Sequence, residues 1–299
     1  VSTKRYKLPN GALSFSAMST FNSCQQRFAN RYVHKIQTEF TFSDAMDRGW
    51  AFHKMVEHID NPESVIASVY SRLKNTYEFE RVNAAFIDFR DKVSQGVIPL
   101  LKGAELRLHS EKHQFIGFVD RYDIDEATGQ WKLGEMKTSS RFDFNSWILA
   151  PFSFQTALYK VLAMEEWAPS QTLSREDFAG YEYEKVIFSG KRPGKATKAK
   201  PEETPAQFRE RIKGDAKIYH QRIDVSNETQ AQAMHAFETA KEGVDIIMRS
   251  PSAAVKNPAN CFQWGRPCEY MRQCWDLDME DAISKHPEGT VDFSEEISE

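Results

Sequence analysis

Seven residues in this sequence have the types and spacing that chemistry requires. Three lie on two successive strand-like segments, 114–124 and 130–138. In the first, Ile116, Phe118, Tyr122 and Ile124 make an apolar alternation that Asp120 interrupts. In the second, Trp131 and Leu133 set an apolar face that continues as Glu135 and Lys137. The strand period of two turns both carboxylates and the lysine toward the core side. An unpaired buried carboxylate is costly, so inward charges mean pairing or a metal. The connection DEATGQ reads as a hairpin turn with Gly129 free to take a positive φ. A pivot between Ala127 and Thr128 sets Asp120 opposite Glu135, about 4.5–5.5 Å between Cβ atoms, and a bulge at Gly129 would shift this by one residue. Facing carboxylates repel unless a cation separates them. Lys137 balances one, whereas a divalent metal balances both. An Asp–Lys–Glu salt-bridge ladder is the alternative, and periodicity alone does not choose.

The other four are the cysteines, Cys24, Cys261, Cys268 and Cys274. Three fall in CFQWGRPCEYMRQC and the fourth lies far away. With no secretion signal and a chain long enough to build a core, disulfides are not expected. Four gathered thiolates suit zinc or an iron–sulfur cluster, although the spacing fits neither a zinc ribbon nor the ferredoxin run. Four unrelated buried thiols are the bland alternative.

These residues need elements to position them. Residues 14–34 place Met18, Phe21, Cys24, Phe28 and Tyr32 at helical steps, with Ser14 and Ser16 as candidate caps, which predicts one amphipathic helix with Cys24 on its buried side. Further helices are expected over 44–59 (containing Gly49, His53 and Val56), 62–75 and 81–101. Three strands follow at 104–109, 114–124 and 130–138, then a helix over 152–167 and a strand over 181–188. Residues 190–217 hold nine Lys/Arg, three Pro and four acids, a basic loop with a short helix at 206–213. A strand (218–225) and a helix (228–248) lead to the cysteines. The pattern is that of an α/β protein with a mixed sheet flanked by helices. SGKRPGKAT follows a strand as a phosphate loop would. Only three residues separate Gly190 from Gly194, and Ala196 stands where a magnesium-binding hydroxyl should, so no ATPase is expected.

The chain of 299 residues is 40% hydrophobic and 12% aromatic, enough for a sizeable core. No apolar run reaches the ~18 residues of a membrane span, and a cytoplasmic protein is expected. The net charge of −4 conceals an asymmetry. Residues 276–299 hold nine acids and one lysine, an acidic tail that leaves the first 275 residues at +4. A nucleic-acid partner is permitted.

GFVDRYD followed by GEMKT resembles the signature of the PD-(D/E)XK nucleases, with Asp120 and Glu135-x-Lys137 in its places. SFSAMSTFNSCQQRFANRY and GWAFHKMVE resemble the N-terminal helix and Gly-x-x-x-His helix of the RecB-like branch, and Gln155-Thr-Ala-Leu-Tyr159 its Gln-x-x-x-Tyr motif. The cysteines resemble the iron–sulfur staple of AddB-type exonucleases. The departures are Gln for Pro after Cys24 and a six-residue first separation where two is usual. The layout is similar to stand-alone phage exonucleases. The resemblance implies a restriction-endonuclease-like fold: one nuclease domain over 1–275, comprising a helical region (14–101), a core (102–250) with its basic loop (190–217), and a Cys-rich staple (251–275), followed by the tail. It implies Mg²⁺ or Mn²⁺ held by Asp120, Glu135, the Met136 carbonyl and His53, with Lys137 catalytic and Gln155 and Tyr159 contacting DNA. It implies a [4Fe-4S] cluster, or alternatively structural zinc, on Cys24, Cys261, Cys268 and Cys274. The implied function is a DNA exonuclease leaving 5′-phosphates in recombination, repair or replication, working alone or with a separate helicase or recombination protein. A non-catalytic DNA-binding subunit is the alternative.

Overall fold

The structure, a computed structural model, describes residues 11–36, 44–196, 201–263 and 266–275. The acidic tail, and Lys198 and Lys200 of the basic loop, lie outside the described residues. In chain order the principal helices and strands begin with α1 (Phe15–Ser23), α2 (Asp44–Glu57), α3 (Ile66–Arg72) and α4 (Thr76–Ser94). Strands β1 (Gly103–Ser110), β2 (Phe115–Ile124) and β3 (Trp131–Ser139) follow. Then come α5 (Phe154–Leu162), β4 (Phe178–Ile187), α6 (Pro205–Ile212), β5 (Lys217–Ile223), α7 (Asn227–Arg249) and α8 (Met271–Trp275). Contacts gather the chain into two compact units, 41–238 on one side and 1–40 with 239–299 on the other.

The larger unit is built on a mixed sheet in the order β1-β2-β3-β4-β5, with β3 and β4 parallel and the other neighbours antiparallel. On one face, α2 and α4 present Phe52, Met55, Phe86 and Phe89 to Met136, Val186 and Phe188 in a single buried cluster. On the other, α5 buries Ala157, Leu158 and Leu162, and its Tyr159 ring lies so close to β2 that a side chain at Gly117 would collide with it. Asn75 caps α4 by accepting from Glu78 N–H, and Thr204 and Gln207 form a reciprocal capping box on α6. Gly129 takes a φ of +73° in the β2–β3 turn, as the turn chemistry requires.

Two expectations are corrected. The alternation on β2 does not hold in its first half: Phe115, Ile116, Gly117 and Val119 are all buried, while Phe118 is half exposed. Both faces of the strand are covered there, which erases a period-two signal. The helix expected over 14–34 is not continuous. Ser14 caps α1 as expected, accepting from Ala17 N–H at 3.2 Å, but Cys24 has an extended backbone (φ −161°, ψ 114°) that breaks the helix before a new turn begins at Gln25. Cys24 is only partly buried there.

Candidate active site

The β2–β3 ladder pairs Ile124 with Trp131, Asp123 with Lys132, Tyr122 with Leu133, and Arg121 with Gly134. The next pair in this register is Asp120 with Glu135, the one expected from the turn, and there the pairing stops. Strands that part leave backbone donors unsatisfied. Asp120 supplies the missing acceptor: its Oδ2 takes the Met136 N–H at 2.8 Å. The carboxylates thus sit where the sheet opens. Lys137 Nζ bonds to Glu135 Oε1 and donates to Gln155 Oε1 at 3.2 Å. Gln155 Nε2 donates to Glu135 Oε1 at 3.2 Å and reaches the Tyr159 hydroxyl at 3.4 Å. Four residues apart on α5, Gln155 and Tyr159 share one helix face, as their spacing implies. His53 approaches from α2, its Nδ1 3.6 Å from Asp120 Oδ1. A glycine makes that approach feasible, since a Cβ on Gly49 would stand 2.7 Å from Thr138 Oγ1 on β3. The Gly-x-x-x-His spacing is therefore a packing device: the glycine sets the helix close to the strand, and one turn later the histidine faces the site.

A model of the PD-(D/E)XK nuclease superfamily matches residues 12–275. The chain belongs to this superfamily. The crystal structure of a "Putative exonuclease" from Eubacterium rectale is similar in fold, with a TM-score of 0.52 and 10% identity over 89% of this chain and 94% of that one. No curated protein matches the chain.

In this superfamily member the electrostatics show a site with too much negative charge. Burial pushes Glu135 up to about 7, helped by the neighbouring Asp120 charge. Burial likewise pushes Asp120 up to about 6, against the Met136 N–H that holds it down. A quarter of the Asp120 side chain still meets solvent, against 4% for Glu135, so the rise at Asp120 is the softer of the two. Burial alone would lower Lys137, but the attraction and hydrogen bond of Glu135 outweigh it and the net shift is upward. Burial lowers His53, which favours the neutral imidazole. Among the described residues, Glu135 Oε2 is buried with no hydrogen-bond partner. So is the hydroxyl of Tyr181 on β4, raised well above its ordinary pKa by burial and then by Glu135. Sequence reasoning missed Tyr181, although its place two residues before Tyr183 on one strand face was a signal.

Among the described residues, no three His, Cys, Asp or Glu side chains close around a point that could hold an ion as they stand. The donor chemistry nevertheless fits a divalent cation: two facing carboxylates, an orphaned buried oxygen and a neutral imidazole. Glu105, an acid on the neighbouring strand, points outward, ion-pairing with Lys54 at 3.4 Å with 62% of its side chain exposed. Its φ of +47° stands opposite Asp120 in the β1–β2 register, between the Ala104–Arg121 and Leu106–Val119 pairs.

Beyond Ser139, the strand leads to a cavity of about 620 Å³ lined by Arg48, Arg81, Ser140, Arg192 and Lys195, among others. The described part of the basic loop forms its wall.

The cysteines all belong to the smaller unit, and none is in a disulfide. The segments around them are tied together: Gln26 N–H donates to the Val255 carbonyl at 3.1 Å, Asn257 and Asn260 donate to the Ser23 carbonyl at 2.9 and 2.6 Å, and Arg27 pairs with Glu269 at 2.9 Å. Burial raises the Cys274 thiol, and the Cys24 and Cys261 sulfurs raise it further. Cys268 is pushed up to about 11, chiefly by burial. N–H groups of Asn30 and Trp275 reach the Cys274 and Cys261 sulfurs at 3.5 and 3.2 Å. Ionised together, these sulfurs would repel one another, but among the described residues no three cysteines close around a point that could hold an ion.

Proposed function

We propose that this protein is a Mg²⁺- or Mn²⁺-dependent DNA exonuclease. The observation that carries the reading is the parting of β2 and β3 at the Asp120–Glu135 pair, with Lys137 held beside it by Glu135 and Gln155. Asp120, Glu135, the Met136 carbonyl and His53 would hold the cation. When bound, it polarises the phosphodiester and lowers the pKa of the attacking water. Lys137 orients that water and offsets charge gathering on the phosphate. Gln155 keeps Lys137 and Glu135 in register, and Tyr159 borders the same space. In-line attack then leaves a 5′-phosphate and a 3′-hydroxyl. The cysteines Cys24, Cys261, Cys268 and Cys274 would hold an iron–sulfur cluster, with zinc as the alternative, that staples the two chain ends and takes no part in cleavage. A DNA end is the expected substrate, supplied in recombination, repair or replication.

The test is digestion of end-labelled DNA by purified protein with and without Mn²⁺, beside Lys137→Ala. Metal-dependent release of nucleotides, absent in the variant, is expected. DNA binding without cleavage under any divalent metal would turn the reading to a non-catalytic subunit. For the staple, anaerobically purified protein should carry about four irons per chain. Cys24→Ala should lose them as completely as Cys268→Ala, and full iron retention by Cys24→Ala would end the idea.

A further inference from the structure

The connector between the strand of Lys137 and the helix of Gln155 is anchored on its inner side and apolar on its outer side. Inside, Lys185 Nζ donates to the Asp143 carbonyl at 3.1 Å and to Ser146 Oγ at 2.5 Å. Gln221 Nε2 donates to the Trp147 carbonyl at 2.9 Å. The Trp147 ring packs on Tyr183 and Tyr219, with centroids 5.7 and 5.8 Å away. Outside, Phe144, Ile148, Leu149 and Phe152 are 62, 48, 55 and 61% exposed, and Phe154 is 37% exposed. A single exposed Leu needs no explanation, but five large apolar side chains on one rigid connector do.

Two observations select the occupant. Phe154 immediately precedes Gln155, whose amide touches both Glu135 and Lys137, so the connector ends at the candidate active site. Between residues 142 and 154 the sole charged residue is an acid, Asp143. Such a surface repels phosphates, which require cations. Nucleobases suit it, because each has a π-face that stacks on aromatic side chains whatever the sequence.

We propose that residues 144–154 form a stacking platform for unpaired nucleobases beside the scissile phosphodiester, so that the substrate is a single strand or the frayed end of a duplex. This rests on the nuclease reading and narrows its substrate. Bases within a duplex already stack on one another and gain little from the platform, whereas unpaired bases gain the whole contact.

The test compares metal-free protein binding to fluorescent oligothymidylate of about 12 nucleotides with binding to an abasic deoxyribose-phosphate chain of equal length. Phe144→Ala/Phe152→Ala should weaken the first by about fivefold or more and the second by less than about twofold, the low end of what stacked bases contribute. Phe152→Leu, which keeps the bulk and removes the π-face, should act in the same direction should the double variant fold poorly. Equal weakening of both ligands would overturn the platform. So would unchanged affinity for both, which would assign the patch to a protein partner. Wild-type protein that binds neither chain would overturn the nuclease reading itself, and the platform with it.

Discussion

Neighbouring residues on the central strands carry two ionic groups that differ in one respect. On one face of the sheet, Arg121 of β2 pairs with Glu184 of β4, both almost fully buried, with the guanidinium 5.5 Å above the Phe89 ring. On the other face, Asp120 and Glu135 share one ammonium, that of Lys137. The first group is balanced, one charge against one. The second has an uncompensated negative charge; a buried carboxylate oxygen without a hydrogen-bond partner among the described residues, and a carboxyl raised by burial, are common to both, at Glu184 as at Glu135. Burial of charge is common to both groups, so burial does not mark a site. Imbalance does: two acids for one base leave a charge that a bound cation would balance, which is the reading proposed above.

The largest effect expected from this contrast is on catalysis. Asp120→Ala, Glu135→Ala or Lys137→Ala should each lower cleavage by roughly a thousandfold or more, while metal-free DNA binding changes by less than about threefold. Single-turnover cleavage and anisotropy on the same preparations check it. Retained cleavage in either carboxylate variant would remove the site.

The balanced pair should respond in stability instead. Arg121→Ala leaves Glu184 buried without its partner and should cost about 3–5 kcal/mol in denaturant unfolding. Arg121→Met/Glu184→Leu removes both charges and should come close to wild type. If the double variant were as damaged as the single, the pair would be more than a neutralised couple.

The unbalanced group should show the opposite sign. Glu135 and Asp120 have folded pKa values near 7 and 6 in place of 4.5 and 3.8. Carboxyls raised on folding contribute stability that is complete below about pH 4 and lost as pH climbs through 6 and 7. Metal-free wild type should therefore lose ground to Glu135→Gln between about pH 5 and pH 8, by about 1–3 kcal/mol, because the variant lacks the Glu135 titration while Asp120 is common to both. Melting curves of the two proteins across that range decide the matter. Mn²⁺ should stabilise the wild type most at the alkaline end, where the carboxylates are ionised.

Much of this was legible in the sequence, for identifiable reasons. The register that faces Asp120 with Glu135 follows from turn chemistry and a period of two, both local. The positive φ at Gly129 followed from the same turn chemistry. The balanced pair was not legible, because Arg121 and Glu184 are 63 residues apart and a parallel strand pairing joins them. Glu182 and Glu184, alternating within an apolar strand, were the available signal. The exposed connector escaped for a different reason: in a sequence, Phe144 and Phe152 look no different from core residues, and only tertiary structure shows which apolar side chains stay exposed. The break at Cys24 is tertiary too. Helical periodicity continues through it, and the bonds from Asn257 and Asn260 to the Ser23 carbonyl come from more than 230 residues away.

The smallest effect extends the same rule to the basic loop. Lys191 is balanced, its Nζ 2.9 Å from Asp215 Oδ2. Arg192 and Lys195 line the cavity beyond β3 and form no ion pair among the described residues. A cation already neutralised has few counterions to displace from DNA, whereas a free one trades its place for them. Arg192→Ala and Lys195→Ala should each therefore reduce the salt slope of single-strand binding by about 0.7, the value of one phosphate contact. Lys191→Ala should change it by much less, because Asp215 is then released to repel the strand without a contact having been lost. Affinity itself falls in all three variants, so only the slope discriminates. Equal slopes for Lys191→Ala and Lys195→Ala would show that the Lys191–Asp215 pair opens on DNA, and that balance in the free protein does not predict which cations of this loop meet phosphate.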